Sequence, residues 1–183
     1  MRAAAATCML ILVALAFAGC SSDRIEKTKG DIFLSVTDFD GLPVRVSVNS
    51  SGDILQLGTI VITSFAKDPN ATTSDLQSVE MDSYEVRFSR ADAGSRLPPP
   101  LVEKQFGFIP AEGNLTITNL RLLGIEQFDN APLSDLFNEN GAFDKETGAQ
   151  LVALNLTIRF FGRTISGDDV ATEPVSFTIE FVP

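Results

Sequence analysis

The sequence contains no histidine and no tryptophan, and only two of its 183 residues are cysteine. Without histidine, imidazole-dependent catalytic triads and histidine-containing zinc sites are excluded. Cys8 lies inside an apolar N-terminal run, so a chain that loses this run keeps Cys20 as its one thiol. A disulfide within the domain is then impossible, and thiol catalysis is excluded as well. Carboxylates, lysine, hydroxyls and one tyrosine are left for chemistry.

Positive charge is also scarce, with 14 Lys and Arg against 24 Asp and Glu. Removal of residues 1–19 takes away only Arg2, which leaves 14 − 1 = 13 basic residues and a net charge of 13 − 24 = −11. This balance argues against nucleic acid as a partner and against charge-driven adhesion to an anionic membrane surface. The acidity is typical of a soluble exported domain.

The first twenty residues form an apolar run behind one positive charge. Residues 3–18 are apolar apart from Thr7, and Phe17-Ala18-Gly19 leads into Cys20. The run is too short to span a bilayer comfortably, and small residues precede the cysteine. These features predict a removable export signal.

The end of this signal resembles the lipobox of bacterial lipoproteins, in which the cysteine is lipidated and becomes the mature N-terminus. Ala18 and Gly19 match the small residues of that pattern, while Phe17 stands where Leu is more common. The resemblance covers residues 1–20 only. It implies a signal peptide over residues 1–19 and a membrane anchor of acyl chains, palmitate among them, on Cys20. The alternative is an ordinary secretory signal that leaves Cys20 as a free thiol.

The residue after the cysteine bears on localisation. In the lipoprotein family a residue other than Asp at this position is associated with the outer membrane of two-membrane bacteria, and here it is Ser21. We therefore expect export and anchoring to the cell envelope, at the outer membrane if the source has two membranes. Residues 20–30 are polar and read as the lipidated cysteine followed by a flexible tether. Residues 31–183 form the one domain, and the chain has no internal repeat.

Alternation of apolar and polar residues dominates this domain. The two clearest strands are residues 152–161 and 175–182, with further strands over 32–37, 44–48, 57–65, 79–88, 105–109 and 114–119. We predict that residues 38–41 form a turn and that residues 57–65 form a central strand covered on both faces. The residues from 91 to 100 read as irregular and extended.

One long connection breaks this pattern. Asn130, Pro132 and Gly141 predict a single short helix between residues 130 and 141, with Asn130 as its cap. The whole pattern indicates an all-β fold, a two-sheet antiparallel sandwich with this helix in an inter-strand connection. Immunoglobulin-like topology is expected by architecture, although the Cys…Trp…Cys hallmark is absent.

Calcium is the metal that this composition suits, because calcium takes oxygen ligands alone. The candidate ligands are Asp38 and Asp40 beside one predicted turn and Asp168 and Asp169 in another. Aspartate, asparagine and glycine are also common in turns for conformational reasons, so we expect no metal site and no cofactor. A calcium-stabilised structural or adhesion domain stays as an alternative function.

Paired carboxylates serve glycoside hydrolases, which makes a carboxylate-dependent hydrolase the other alternative. Glu85 and Glu180 lie within predicted strands, and alternation places both on outward faces, where no apolar surroundings would raise the pKa of a catalytic acid. We therefore expect no enzyme activity.

Exposed aromatic residues are the best indication of a binding surface. Phe106 and Phe108 flank Gly107, and Phe161 is on the polar face of its strand. Such residues mark interaction surfaces unless a loop or helix covers them. The sequence thus predicts a non-catalytic, lipid-anchored envelope protein with a β-sandwich binding or accessory domain. Its partners would be the membrane, through Cys20, and an envelope protein or a glycan.

Overall fold

The computed structural model describes residues 31–52 and 54–183. The predicted signal peptide, the lipid anchor at Cys20 and the tether lie outside these residues. The described chain is mostly strand and forms two sheets, one of them curled into a half-barrel. The prediction of an all-β fold is therefore confirmed. No helix in the described part is long and apolar enough to cross a bilayer.

Nine strands and one short α-helix, α1, make up the regular structure of the described residues. In chain order they are β1 (Ile32–Asp40), β2 (Arg45–Ser47), β3 (Leu55–Ala66), β4 (Val79–Arg90), β5 (Leu101–Ile109), β6 (Asn114–Leu123), α1 (Ile125–Phe128), β7 (Val152–Thr164), β8 (Asp169–Ala171) and β9 (Val175–Val182).

The strands divide into a smaller and a larger sheet. The smaller sheet has the order β1-β3-β6, and the larger has the order β2-β9-β7-β4-β5, with β8 also paired to β7. All of these pairs are antiparallel except β2 with β9, which run parallel. The prediction of a purely antiparallel sandwich is wrong at this one pair.

The period-2 pattern predicted the long strands well. In β7 and β9 the residues predicted to face inward are buried, apart from half-buried Val175. Strand β4 begins at Val79, as the sequence predicts. Strand β5 is longer than predicted because it begins at Leu101, and β6 continues to Leu123.

Two predictions about the first strands are wrong. Asp38 and Asp40 lie within β1 and are paired with Val61 and Thr59 of β3, so residues 38–40 do not form a turn. A bulge at Thr37 shifts the register there, and such an extra residue has no sequence signal of its own. Strand β3 is central in its sheet as predicted, but its outward residues are half-buried or, at Gln56 and Phe65, exposed.

The predicted helix over residues 130–141 is replaced by other elements. Helix α1 ends at Phe128, and two short 3₁₀ turns follow at Ser134–Leu136 and Asn138–Asn140. Gly141 does end the second turn, with a φ of 109° that favours glycine. Tertiary contacts replace the local helix signals here, since the buried Asp135 carboxylate pairs with Arg96 and Lys145.

The core lies between the two sheets and is closed at its sides in different ways. A parallel bridge joins Leu34 of β1 to Thr172 after β8, while the turn over residues 110–113 links β5 to β6. The long connection before β7 covers one region of the core with three buried residues, Phe128, Leu133 and Leu136. Strand β5 is the last strand of the larger sheet, so one of its edges pairs with no other strand of the described chain.

Candidate functional site

The three phenylalanines predicted as a binding surface lie on the same side of the larger sheet. Phe106 and Phe108 belong to β5, where Leu101 and Ile109 face the core and the alternate residues face outward. Phe106 is 75% exposed and Phe108 is 50% exposed. Neither ring is buried by any residue within 31–52 and 54–183.

The strand register shows how these residues are related. Phe108 is opposite Glu80 of β4, which is opposite Arg163 of β7, and the next row contains Lys104, Ser83 and Phe161. The rows place Phe161 on the same outer face as Phe106 and Phe108. One strand, β4, separates β5 from β7, so these two strands are roughly 10 Å apart.

Phe161 differs from the other two in its surroundings. It is half-buried, and the Arg159 guanidinium lies 5.5 Å from the centre of its ring. This distance is within the range of a cation–π contact. Phe161 therefore contributes less free apolar surface than Phe106 and Phe108.

Strand β5 is an edge strand, since only β4 pairs with it and β5 ends the strand order. Its outward residues are Val102, Lys104, Phe106 and Phe108. Exposed edge strands are normally blunted by charges, bulges or covering loops. Here the outward row has one charge, Lys104, and β5 carries one extra residue against β4 between Lys104 and Gly107, which is a bulge. The other three outward side chains are apolar.

The candidate calcium ligands are not brought together. Asp38 and Asp40 lie on β1, where each accepts a hydrogen bond from the next backbone N–H. Asp168 and Asp169 are at the turn after β7, and Asp169 is paired with Arg163. Within residues 31–52 and 54–183, no group of three or more acidic or other ligating side chains could hold a metal ion.

The two strand glutamates considered for catalysis both lie on the outer face of the larger sheet. Glu85 is paired with Arg87, and Glu180 is paired with Arg45 of β2. Each ion pair lies on the surface of the sheet, and surface ion pairs contribute little to stability. Their positions follow the alternation predicted from the sequence.

A partly buried cluster of charges, which sequence reasoning missed, joins the end of β4 to the loop before β7. We call it the arginine–aspartate cluster, and its members are Arg90, Asp92, Arg96, Asp135, Asp144 and Glu146. Arg90 donates to both oxygens of Asp92 at 2.6 and 3.0 Å and to Asp144 at 2.8 Å. Arg96 donates to Asp135 and, at 2.7 Å, to Asp144.

The centre of this cluster is Asp144, whose side chain is entirely buried. Burial acts to raise the pKa of Asp144, but hydrogen bonds from Arg90, Thr147, Arg96 and the backbone of Glu146 outweigh it and hold the pKa well below its usual range. Both carboxylate oxygens are engaged. The cluster therefore fixes loops rather than offering a free catalytic group.

Glu146 extends the cluster to the irregular segment after β4. It accepts hydrogen bonds from the Ser95 hydroxyl and from the backbone N–H groups of Ser95 and Arg96. These bonds lower the pKa of Glu146 to about 2. The sequence offered no signal for this contact, because its partners are 50 or 51 positions apart.

A second polar group lies beside a cleft of about 520 Å³ between the start of β5 and the end of β6. Glu103 accepts a hydrogen bond of 2.7 Å from Arg121 and lies 3.0 Å from the Tyr84 hydroxyl. That hydroxyl also lies 2.8 Å from the carbonyl oxygen of Arg121, so Glu103 and this carbonyl are two acceptors for its one proton. Burial and the neighbouring Glu103 raise the pKa of Tyr84, which keeps it protonated.

The rim of this cleft is apolar, with Ile54, Val102 and Ile125 exposed. Glu103 and Glu126 both line it, but the two oxygens of Glu103 already contact Arg121 and Tyr84. The Tyr84–Glu103–Arg121 group thus ties β4, β5 and β6 together at the open side of the sandwich. This arrangement suits a structural role, which is to hold the three strands together, rather than acid–base chemistry.

No known protein family matches the sequence, and no curated protein is similar to it. Among solved structures, the chain is similar to the solution structure of a protein provisionally named a late embryogenesis abundant (LEA) protein. The identity is 12%, the alignment covers 98% of this chain and 84% of that one, and the TM-score is 0.42. At these values the likeness says nothing about function.

Proposed function

We propose that this chain is a non-catalytic, lipid-anchored envelope protein whose β domain binds a protein partner through the outer face and free edge of β5. One observation carries the proposal: Phe106 and Phe108 are exposed side by side on an edge strand. Aromatic residues are enriched in interface cores, and an edge strand adds backbone donors and acceptors to them.

The kind of contact follows from the chemistry of β5. A partner segment in extended conformation would hydrogen-bond to the free edge of β5, as in other cases of strand addition. Val102, Phe106 and Phe108 would then face alternate side chains of the added strand. Phe161 would contact the partner only at the margin of this surface.

A non-catalytic role is supported by what the chain offers for chemistry. It has no histidine, and the carboxylates of the arginine–aspartate cluster and of Glu103 are held by arginines. A hydrolase would need a carboxyl group free to take up and release a proton. The calcium-dependent alternative has no specific observation in its favour.

The proposed anchor is the lipid on Cys20. From Cys20 to Asp31, where the described domain begins, there are 31 − 20 = 11 residue steps. A chain of this length reaches at most about 40 Å. The domain could therefore stand clear of the lipid headgroups while staying near the membrane, with β5 available to other envelope proteins.

We also propose immunoglobulin-like topology for the domain. The strand orders β1-β3-β6 and β9-β7-β4-β5 support it. Strand β3 lies between β1 and β6 as strand B lies between A and E in that fold, and β7 lies between β4 and β9 as F lies between C and G. Strand β2 would then be the continuation of the first strand that crosses to the other sheet. Superposition on an experimentally determined structure of this protein would test the topology.

The proposed function is tested by affinity capture from membranes of the source cell, with the full-length protein as bait. We expect a partner that is retained by the wild type and by Val44→Ser but lost with Phe106→Ser/Phe108→Ser. Val44 is a matched control because it is 75% exposed, like Phe106, and precedes the opposite edge strand, β2. Equal capture by all three proteins would contradict the proposed surface.

The anchor is tested separately. Mass spectrometry of the mature protein should find acyl chains on Cys20, and Cys20→Ala should move the protein from the membrane fraction to the soluble fraction. Continued fractionation of Cys20→Ala with membranes would contradict the lipid anchor without affecting the β5 surface.

A further inference from the structure

Strand β5 differs from the other three strands that end a sheet in the described chain. It is nine residues long, whereas β2, at the opposite edge of the larger sheet, has three. In the smaller sheet, β1 is bridged through Leu34 to Thr172, and β6 contains Asn119 with a φ of 55°, which is outside the strand region. A long edge strand without such interruptions is a template for pairing with another strand.

The backbone of β5 has hydrogen-bonding groups left over. The backbone of residues 101–109 pairs with β4, and no other backbone group within 31–52 and 54–183 bonds to it. The side-chain amide of Gln105 lies 3.4 Å from the carbonyl oxygen of Phe106, which is a weak contact. Half of the backbone groups of an edge strand point away from its neighbour. They form a row of donors and acceptors for a second strand.

Burial alternates along β5 from its first residue to its last. The inward residues are buried or half-buried, and the extra residue relative to β4 does not interrupt the alternation. Gln105 is the middle residue of the strand, which runs from Leu101 to Ile109. The exposed residues lie evenly on its two sides and are Val102, Lys104, Phe106 and Phe108.

This sequence is complementary to itself when two copies of β5 pair in antiparallel orientation about Gln105. Each residue then lies opposite the residue that is equally far from Gln105 in the other copy, on the same face of the joined sheet. Val102 lies opposite Phe108, and Lys104 lies opposite Phe106. The first is an apolar cross-strand pair, and the second brings an ammonium group to an aromatic ring. Each pair occurs twice because the arrangement is two-fold symmetric.

The neighbouring registers are less favourable. A pairing centred on Lys104 would place this ammonium opposite its own copy, and like charges directly opposite each other destabilise a sheet. A pairing centred on Phe106 would place Val102 opposite Pro110, which has no N–H to donate to the ladder. The register centred on Gln105 avoids both defects and pairs the strand over its whole length.

The inward side of the same register leaves no charge without a partner. Glu103 would lie opposite Gly107, and its carboxylate already contacts Arg121 and the Tyr84 hydroxyl. Gln105 would meet its own copy on the two-fold axis. A side-chain amide both donates and accepts hydrogen bonds, so the two amides can bond to each other.

We propose that β5 pairs with β5 of a second copy of this chain, in the antiparallel, two-fold register centred on Gln105. The two larger sheets then form one continuous sheet across the dimer. A second copy is the occupant because it provides a complementary residue for each outward side chain of β5, including its one charge. This inference rests on the proposed function, since it identifies the protein partner of the same surface as this chain itself.

Disulfide trapping in the full-length protein tests the register. Gln105→Cys lies opposite its own copy with the Cβ atoms about 5 Å apart, close to the separation in a disulfide. Val102→Cys is the matched control on the same strand, because it lies six residues, or about 20 Å, from its own copy. We expect mild oxidation to give at least about fivefold more covalent dimer with Gln105→Cys than with Val102→Cys. The wild type corrects for any dimer formed through Cys20.

Two further measurements keep the test independent of one variant. Adding Phe106→Ser/Phe108→Ser to Gln105→Cys should reduce trapping by about fivefold or more, because two cross-strand pairs lose their rings. Sedimentation velocity of the wild type in detergent should show a concentration-dependent dimer that the double serine variant lacks. Circular dichroism should show that the variants are folded.

The inference is overturned if Gln105→Cys traps no more dimer than Val102→Cys, or if folded Phe106→Ser/Phe108→Ser leaves trapping and sedimentation unchanged. Capture of a different envelope protein that depends on Phe106 and Phe108, with a bait that stays monomeric, would overturn self-pairing and leave the proposed function standing. Equal capture by the wild type and the serine variant, without trapping at Gln105→Cys, would overturn both.

Discussion

Nη2 of Arg90 donates a hydrogen bond of 2.8 Å to Oδ2 of Asp144, and the two residues are 54 positions apart in the chain. Arg90 is the last residue of β4, and Asp144 belongs to the loop before β7. The same carboxylate accepts from Arg96 at 2.7 Å. One buried carboxylate thus connects the end of β4, and the irregular segment after it, to the loop before β7.

Asp144→Asn should lower the free energy of unfolding by about 3 kcal/mol, because it removes the charge that compensates two arginines at a buried position. Asp169→Asn is the matched control, since Asp169 pairs with Arg163 on the surface and should contribute within about 0.5 kcal/mol. Urea denaturation measures both variants. Equal effects of the two substitutions would contradict a structural role for the buried cluster.

The same cluster predicts how stability depends on pH. The pKa of Glu146 is lowered to about 2 by hydrogen bonds from the Ser95 hydroxyl and nearby backbone groups. The pKa of Asp135 is also lowered: burial opposes this, but bonds from Arg96 and Lys145 outweigh burial. Groups with a lowered folded pKa stabilise the fold above their unfolded pKa, about 4, and lose that contribution as the pH falls toward the folded value.

We therefore expect the free energy of unfolding to fall steadily below about pH 4. The difference between the wild type and Asp144→Asn should shrink over the same range, since unfolded Asp144 then takes up a proton that folded Asp144, with its lowered pKa, does not bind. Urea denaturation at pH 7, 4 and 3 would measure it. A difference as large at pH 3 as at pH 7 would show that the cluster does not cause the acid sensitivity.

The sequence could predict the strands but not this cluster. Alternation in β7 and β9 identifies the buried residues, because a period of two follows from strand geometry alone. Arg96 and Asp135 have no such local pattern, as their contact spans 39 positions and depends on how two loops are placed. The predicted helix over residues 130–141 is wrong for the same reason, since tertiary contacts of Asp135 outweigh local helix signals.

The proposed binding residues were also predictable only in part. Alternation correctly places Phe106 and Phe108 on the outward face of a strand, but only the sheet order identifies β5 as an edge. The bulge in β4 at Asp82, which sets the register opposite Phe161, has no signature in the sequence.

Two glycines in the larger sheet should respond differently to alanine. A Cβ at Gly162 would lie 2.6 Å from the carbonyl oxygen of Glu80 and 3.0 Å from the Cα of Met81, and these backbone atoms cannot move without disturbing β4. Gly162→Ala should lower stability by about 2 kcal/mol. A Cβ at Gly107 would meet only the end of the Leu115 side chain, at 2.3 Å.

Gly107→Ala should consequently cost less than Gly162→Ala, because the Leu115 side chain can rotate away. Thermal or urea unfolding of the two single variants would compare them directly. A larger loss of stability for Gly107→Ala would mean that β5 and β6 are packed more rigidly than β4 and β7.

Calcium should not stabilise this protein. A site with a Kd of about 1 mM would add about 1.4 kcal/mol to the stability at 10 mM calcium by mass action. We expect no rise in melting temperature beyond that seen with magnesium at the same concentration. A calcium-specific rise that Asp38→Asn or Asp168→Asn abolishes would instead establish a site at that aspartate.

The claim that β5 is the binding surface is tested most directly by the affinity of the captured partner, measured by biolayer interferometry with immobilised full-length protein. We predict that Phe106→Ser/Phe108→Ser raises the Kd by at least about tenfold, which corresponds to about 1.4 kcal/mol, while Val44→Ser leaves it within about twofold. Circular dichroism should show the same folded content in all three proteins. A Kd for the double variant equal to that of the wild type would contradict the account, because the exposed edge strand would then not be the interface.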